Sequence, residues 1–559
     1  MVRMKSKIKI SGKDAFGWLL ICISVLMLCK SLALCFSNDI WYDELFTVGM
    51  IEHSYGELIH FTAADVHPPL YYCVTKFFVD LCKLVLPGAG TVIPAKIVSV
   101  LPYFVLLLYS VTWIRKRFSI FTGGMFLFCV IAMPQLPAYT VEVRMYGWAL
   151  LFVTAAFLHA YGCVDRCSRK PYLHGAALVL YGLAAAYTQY FACVAVVMVY
   201  FYVLAAFWRQ DKRRIKEWCL YVALSIVGYV PWLFALARQI STVRENYWIL
   251  PLTWRSLGGC VKFLMKPAFT SEPLNVVLAV VMFAGYVEVV GGSLIRYRIG
   301  SKRSREIENA GHAEILKEAE KVYHNGRVLH GAAGLAVLVG VVLFGFAASF
   351  LIRPVFVYRY MLPAMGCFWL SFAIGLDDIL CKLNLKALFF KKENRGKWYV
   401  WIRCLSVVFI LFYIIVGLRD YRAFLGEEEY KIRLMKETEA ALSEIGPEDI
   451  VIYNFDQVQA VTSYYLEDTT KRYLWNGTAE SLIQEIVGPC QTLEESETIK
   501  SWLAKRTEEG ALTDSQVWFV GSFNSREDIV AEWRGDGLTV EEKGSYLLER
   551  YWFNLYKIS

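Results

Sequence analysis

Charge is scarce in this sequence: Asp, Glu, Lys and Arg make up 19% of its 559 residues, against 57% hydrophobic and 15% aromatic. Soluble globular domains carry about a quarter of their residues as charges, so this balance argues against an ordinary soluble enzyme. No disulfide framework or CxxC zinc pattern is visible either. The 15 cysteines fall mostly inside apolar blocks, where Cys behaves as a small hydrophobe. A pattern of interleaved basic and aromatic residues is also lacking, which leaves nucleic acid without support as a partner.

What is there is a series of long apolar blocks bounded by basic clusters. A membrane span needs roughly 20 largely apolar residues, because lipid offers no partner to backbone polar groups. Blocks at residues 15–36, 97–114, 121–137, 147–164, 172–187, 190–208, 218–236, 274–295, 328–352, 360–376 and 398–418 qualify, so the expected fold class is an α-helical polytopic membrane protein of about 11 spans. The first block follows a basic stretch, and its length and lack of a small-x-small cleavage site read as an uncleaved anchor. Lys and Arg concentrate on alternate sides. With the N-terminus inside, about 30 lie in cytoplasmic segments against about 11 in the longer outer loops. The net charge of +8 is therefore a matter of topology, and the expected location is the cytoplasmic (plasma) membrane, multi-pass, N-terminus inside.

The stretch Pro69 to Pro87 is apolar enough to tempt a spanning assignment, but Lys76, Asp80 and Lys83 recur at helical spacing. Such a stripe predicts a helix lying on the outer surface. Counting it as a span would also export Arg115 to Arg117, against the charge rule. The loops from Arg296 to Arg327 and from Lys382 to Lys397 read as solvated, topology-fixing connectors. An odd number of spans places the rest of the chain outside. There the runs DIVIYN, KRYLW and SQVWFV alternate with helical patterns, predicting a small extracytoplasmic α/β domain over 419–559 after a transmembrane domain over 1–418. This tail has no GxGxxG or P-loop, and Cys490 is its only cysteine. A structural cap or substrate guide suits it better than a second enzyme.

Chemistry-bearing residues gather in the first outer loop, 37–96. NDIWYDELFTVG brings adjacent carboxylates Asp43 and Glu44; ADVHPPLYY brings Asp65, His67 and the stiff Pro68-Pro69 pair. Proline fixes φ and disfavours helix in the residue before it. Taken singly, helix capping accounts for the carboxylates and a structural hydrogen bond for the histidine.

Together, an Asp-Glu pair after the first span, then DVHPPL, then an interfacial helix resembles the protein O-mannosyltransferases and their bacterial relatives, which include the aminoarabinose transferase acting on lipid A, family 39 of the GT-C superfamily. VEVRMYGW, YTQY and YRYMLPAMG support the resemblance, which extends over most of the membrane half. Tyr71 and Tyr72 follow the leucine, as in bacterial members, and Gln189 stands where many of those have His. The tail does not look like the β-trefoil insert of the eukaryotic enzymes.

The resemblance implies a glycosyltransferase that moves one sugar from a polyprenyl-phosphate donor to an extracytoplasmic glycan, lipid or protein. A neutral acceptor hydroxyl is a poor nucleophile until a carboxylate takes its proton, which contributes about 10²- to 10⁴-fold. Asp43 is the expected general base, with Glu44 beside it, and attack opposite the phosphate inverts the anomeric carbon. A departing phosphate calls for arginine, which stays charged and binds in a fork. Arg144 and Arg359, at outer span ends, are the candidates, with Tyr146, Asp65 and His67 completing the donor site. Snorkelling at a span end is the plain alternative for each arginine. Asp43, Asp65 and His67 are also of the residue types that hold a divalent metal ion. Glu288 and His159, ionisable groups inside spans, are functional candidates by default, with a buried hydrogen bond as the simpler account. The rival functions are a transporter or flippase of lipid-linked glycans, and a glycan ligase or polymerase.

Overall fold

A computed structural model of the chain describes residues 11–165, 168, 170–242, 249–269, 271–308, 315–382, 397–493, 498–508 and 515–559. Most of the loop expected between Lys382 and Lys397, and the basic N-terminal stretch, lie outside the described residues.

The apolar blocks all become helices: α1 (Gly12–Leu34), α5 (Val92–Tyr109), α6 (Ile120–Ala132), α7 (Tyr146–Val164), α8 (Pro171–Ala186), α9 (Tyr190–Gln210), α10 (Ile215–Thr242), α12 (Glu272–Glu308), α13 (Ile315–Leu351), α14 (Leu362–Lys382) and α15 (Lys397–Leu442). Among the described residues eight helices are long and apolar enough to cross a bilayer, while α6 and α8 are shorter. The α6 block ends early because Pro134 forces Met133 to an extended ψ of 155°, as the residue before proline prefers. α7 and α14 are buried along most of their length and form the middle of the bundle.

The segment 37–96 folds as α2 (Tyr42–Glu52), α3 (Tyr55–Ala64) and α4 (Leu70–Val85), followed by the start of α5. α4 buries Tyr71 and Tyr72 and turns Phe77, Leu81 and Leu84 outward. Its expected charged stripe does not simply face water. The Lys76 ammonium is buried and donates to the Ile51 carbonyl at 3.1 Å, and Lys83 donates to Thr91 at 2.8 Å, tying α4 to α2 and to the start of α5. A further short helix, α11 (Arg255–Met265), lies between α10 and α12.

α15 is 46 residues long, about 70 Å at 1.5 Å per residue, and leads from the bundle to a sheet. That sheet comprises β1 (Ile450–Tyr453), β2 (Lys471–Trp475), β3 (Gln491–Leu493), β4 (Val517–Gly521), β5 (Val540–Leu548) and β6 (Tyr551–Ile558). Its order is β3-β2-β1-β4-β6-β5, parallel from β3 to β4 and antiparallel through β6 and β5. β1 and β4 are buried throughout, the pattern of parallel strands covered on both faces. Helices α16 (Asp456–Ser463), α17 (Ser481–Val487), α18 (Ile499–Glu508) and α19 (Ser525–Gly535) cover it.

The α/β unit is docked on the segment that carries α2. A Cβ on Gly49 of α2 would come within 2.0 Å of Ile486 of α17, so only glycine admits this approach. Tyr465 donates to the Asn38 carbonyl at 2.6 Å, Tyr42 to Glu480 at 3.3 Å and Tyr464 to Glu52 at 3.4 Å.

Candidate active site

The start of α2 sets the site. Glu44 occupies the third helical position, where its Oε2 accepts from the Trp41 amide at 3.2 Å, satisfying an amide that the helix leaves orphaned. Its other oxygen accepts from the amide of Val143 at 2.7 Å. Glu44 is buried, and burial pushes its carboxyl up to about 8. It joins the loop to the turn before α7, and its neighbour Asp43, one residue earlier in the helix, projects differently.

The preceding loop is fastened by an ion pair. The Lys96 ammonium of α5 lies 2.9 Å from Asp39 and 2.8 Å from Ser37, with the two charged side chains 7% and 2% exposed. Burial is the largest single influence and opposes the Asp39 charge, but the Lys96 charge and the hydrogen bonds from Lys96 and Ser37 together hold that carboxyl below its ordinary value.

Around Asp43 the candidate residues converge. Arg359, in the short turn Tyr358–Met361 ahead of α14, donates through Nη1 to Asp43 Oδ2 at 2.9 Å. Arg144 donates through Nη1 to the Asp43 carbonyl at 2.8 Å, and its Nη2 lies 4.0 Å from the same carboxylate oxygen. That Nη2 is also 3.4 Å from His67 Nε2, while His67 Nδ1 is 2.8 Å from Asp65. The geometry fits an imidazole that donates to Asp65 and accepts from Arg144. The result is a chain from Asp65 through His67 and Arg144 to Asp43. Burial, the largest single influence, acts to raise the Asp65 carboxyl, but His67, the Val66 amide and Arg144 together hold it below its usual value. Arg144 is 5% exposed, and among the described residues its Nε and the Tyr146 hydroxyl have no hydrogen-bond partner. Tyr146 stands edge-on to Tyr139 at 5.3 Å.

As ligands for a metal ion, Asp43, Asp65 and His67 do not converge. The Arg144 guanidinium, itself a cation, lies between His67 and Asp43, and no group of three His, Cys, Asp or Glu has metal-holding geometry among the described residues.

Gln189 caps α9: its Oε1 accepts from the Ala192 amide at 2.8 Å. It also lines an apolar cavity of 250 Å³ that reaches from His67 to Phe344 and Tyr360. His159 bonds within the bundle, to Tyr109 at 3.2 Å and His174 at 2.9 Å, and Glu288 is exposed on α12. Neither joins the Asp43 cluster.

Two residues of the site escaped sequence reasoning. Glu142, two positions before Arg144, is buried and pushed up to about 7; burial is the main cause, opposed by Arg550 first and then Arg144. Arg550, at the turn between β5 and β6, lies 3.6 Å above the Trp41 ring, donates to Glu549 at 3.1 Å and faces Glu142, Glu44 and Asp43 electrostatically. The α/β unit thus brings a third arginine to the carboxylates. Glu142 sits in the VEVRMYGW stretch that drew attention to Arg144; nothing local marks Arg550.

The fold is one already seen in a solved membrane protein. More particularly, the chain is similar to ArnT from Cupriavidus metallidurans: in the apo state 13% identity, 97% of this chain and 98% of that chain, TM-score 0.55; bound to undecaprenyl phosphate 12% identity, 98% of each, TM-score 0.55. No family model and no curated protein matches the chain.

Proposed function

We propose that this protein is a membrane glycosyltransferase that moves a single sugar from a polyprenyl-phosphate donor to an extracytoplasmic acceptor. The observation that carries the reading is the convergence of Arg359 and Arg144 on Asp43 at 2.9 and 4.0 Å. A carboxylate that accepts a proton and two cations that receive a phosphate are what inverting transfer from a sugar phosphate requires. The acceptor hydroxyl gives its proton to Asp43 as its oxygen bonds to the anomeric carbon. The bond from that carbon to the phosphate oxygen breaks, its electron pair leaves with the phosphate, and Arg144 and Arg359 stabilise the charge that develops. Glu44, Asp65 and His67 act as positioning residues, the first holding α2 to the α7 turn and the other two aiming Arg144.

Further support comes from the 250 Å³ apolar cavity beside His67 and Tyr360, a place for the first apolar units of a lipid tail whose head reaches the arginines. The similar fold of ArnT, solved with undecaprenyl phosphate, agrees with such a donor. In this reading the cluster and the α/β unit 419–559 lie outside the plasma membrane, with the N-terminus inside.

The test is label transfer by purified protein from radiolabelled polyprenyl-phosphate sugar to membrane acceptors. Wild type transfers label, and Asp43→Asn loses roughly a hundredfold or more, in line with general-base help. Normal transfer by Asp43→Asn ends the catalytic assignment. Donor that only crosses the bilayer establishes the flippase instead.

A further inference from the structure

In the α/β unit, β1 and β4 run side by side and parallel, and the chain leaves them in opposite directions. β1 leads into α16, which packs with α17 on the sheet face of Val451, Tyr453 and Trp518. β4 leads into α19, which packs with α18 on the opposite face, that of Ile450, Ile452 and Phe519. The two connections part beyond the carboxyl ends of these strands and leave a crevice between them. Open α/β sheets bind their ligands at such a switch point.

The mouth of the crevice is built to present one aromatic ring. Asn454, just past β1, bridges the gap with its side-chain amide: Nδ2 donates to the Ser522 carbonyl at 2.8 Å, and Oδ1 accepts from the Ser522 amide at 2.8 Å. This fixes the turn after β4, where Phe523 takes a φ of 58°, a left-handed conformation that is costly for a bulky side chain and gathers at functional positions. Burial does not offset the strain, because Phe523 is 62% exposed. It meets Phe455 edge-on at 4.8 Å, and most of its ring stays open. Asp456, Asn524 and Ser525 on the same two turns are exposed. Ser522 is buried, and its hydroxyl has no hydrogen-bond partner among the described residues.

The crevice is joined to the Asp43 cluster. Phe455 lies 6.4 Å from the Tyr551 ring, whose hydroxyl donates to Gln457 at 3.0 Å and faces Asp43 and the Tyr42 amide. The chemistry of the mouth selects its occupant. A pyranose carries an apolar C–H face and a rim of hydroxyls, which match one open ring bordered by amide, hydroxyl and carboxylate groups. A lipid tail would leave those polar groups unpaired. The cation on these turns, Arg526, is held by Glu527 at 3.2 Å and by the Phe523 carbonyl, which favours a neutral ring over an anionic one.

We propose that this crevice binds a neutral saccharide, one sugar stacking on Phe523 while its hydroxyls bond Asp456, Asn524 and Ser525, and that this sugar belongs to the acceptor glycan. The acceptor role rests on the transferase reading; the saccharide site itself does not.

The experiment separates the two. Full-length protein in phosphatidylcholine nanodiscs is applied to an array of neutral and anionic oligosaccharides, and wild type is compared with Phe523→Tyr and Phe523→Gly. Wild type binds neutral oligosaccharides, Phe523→Tyr retains them, and Phe523→Gly binds them at least roughly tenfold more weakly, as expected on losing an aromatic contact. Glycine adopts the left-handed φ without strain, so Phe523→Gly is expected to melt at or above wild type, which keeps a loss of binding distinct from a loss of fold. Binding of no neutral oligosaccharide, or equal binding by wild type and Phe523→Gly, overturns the proposal. Diglucosyl diacylglycerol added to the discs identifies the source: competition with the array supports a membrane-borne glycan, and its absence supports a soluble or wall-borne one. Normal transfer by Asp43→Asn alongside Phe523-dependent binding would remove the transferase reading and leave the saccharide site standing.

Discussion

Arg359 and Asp43, 316 residues apart in sequence, form an ion pair of 2.9 Å that joins the turn before α14 to the first turn of α2. Arg144 reaches the same carboxylate oxygen at 4.0 Å. A base held by two guanidinium groups is oriented before the acceptor arrives, and each guanidinium carries five donors, more than one carboxylate can occupy.

If the pair acts as a unit, its losses do not multiply. Arg359→Ala is expected to lower kcat/KM for transfer about a hundredfold, the scale for removing one stabilising charge donor, and Asp43→Asn by at least as much. The double variant is expected to fall within about tenfold of the worse single variant. Fully multiplicative losses would show that the two residues serve separate steps.

The α/β unit should influence the pH dependence of transfer through Arg550. Glu142 titrates at about 7, with Arg550 the first of the charges holding it down against burial. Ionised Glu142 steadies Arg144 and Arg359, so kcat/KM should fall as pH drops through 7. Removing Arg550 raises the Glu142 value, and Arg550→Gln is expected to move this acid limb upward while Glu142→Gln abolishes it. An acid limb that stays in place in Arg550→Gln would mean that the arginine only packs on Trp41.

These relationships mark where sequence reasoning reaches and where it stops. The helices were legible because apolar runs of span length have few other solutions in lipid. Asp43, Glu44, Asp65 and His67 stood out because rigid prolines and acids share one short loop. Arg144 and Arg359 were legible as charges at span ends, but their common contact on Asp43 depends on how α7 and α14 pack, and no periodicity encodes that. The inward turn of Lys76 and Lys83 was hidden for the same reason: a charged stripe tells which face is polar, not whether protein or water covers it. Arg550 and the tyrosines that dock the α/β unit carry no local signal at all.

The loop that carries Asp43 should depend on Lys96 for its stability. Deleting one member of a buried pair leaves an uncompensated charge, at a cost of about 3–5 kcal/mol. Lys96→Met is therefore expected to lower the thermal midpoint markedly in detergent, while Lys96→Met/Asp39→Asn recovers much of the loss. Because Asp39 is held below its ordinary value, its contribution is present above that value and is lost as pH falls through the lower, folded one. An Asp39→Asn chain should lack this acid-side loss. If Lys96→Met melts with wild type, the pair is dispensable to the loop.

Glu44 should show the opposite sign. Burial raises its carboxyl to about 8, while the unfolded chain titrates near the ordinary glutamate value of about 4.3. Between those values the folded chain holds a proton that the unfolded chain has released, so stability falls as pH rises across the window and levels off above it. Glu142 contributes in the same direction, which makes the comparison between variants the informative measurement. Glu44→Gln is expected to lack its share of the slope and to melt progressively closer to, or above, wild type as pH approaches 8. Glu44→Ala strands the amides of Trp41 and Val143 and is expected to cost about 2 kcal/mol or more at every pH. A Glu44→Gln chain with the wild-type slope would show that the carboxyl is ionised in the folded state, with its charge carried by the two amides and by Lys96.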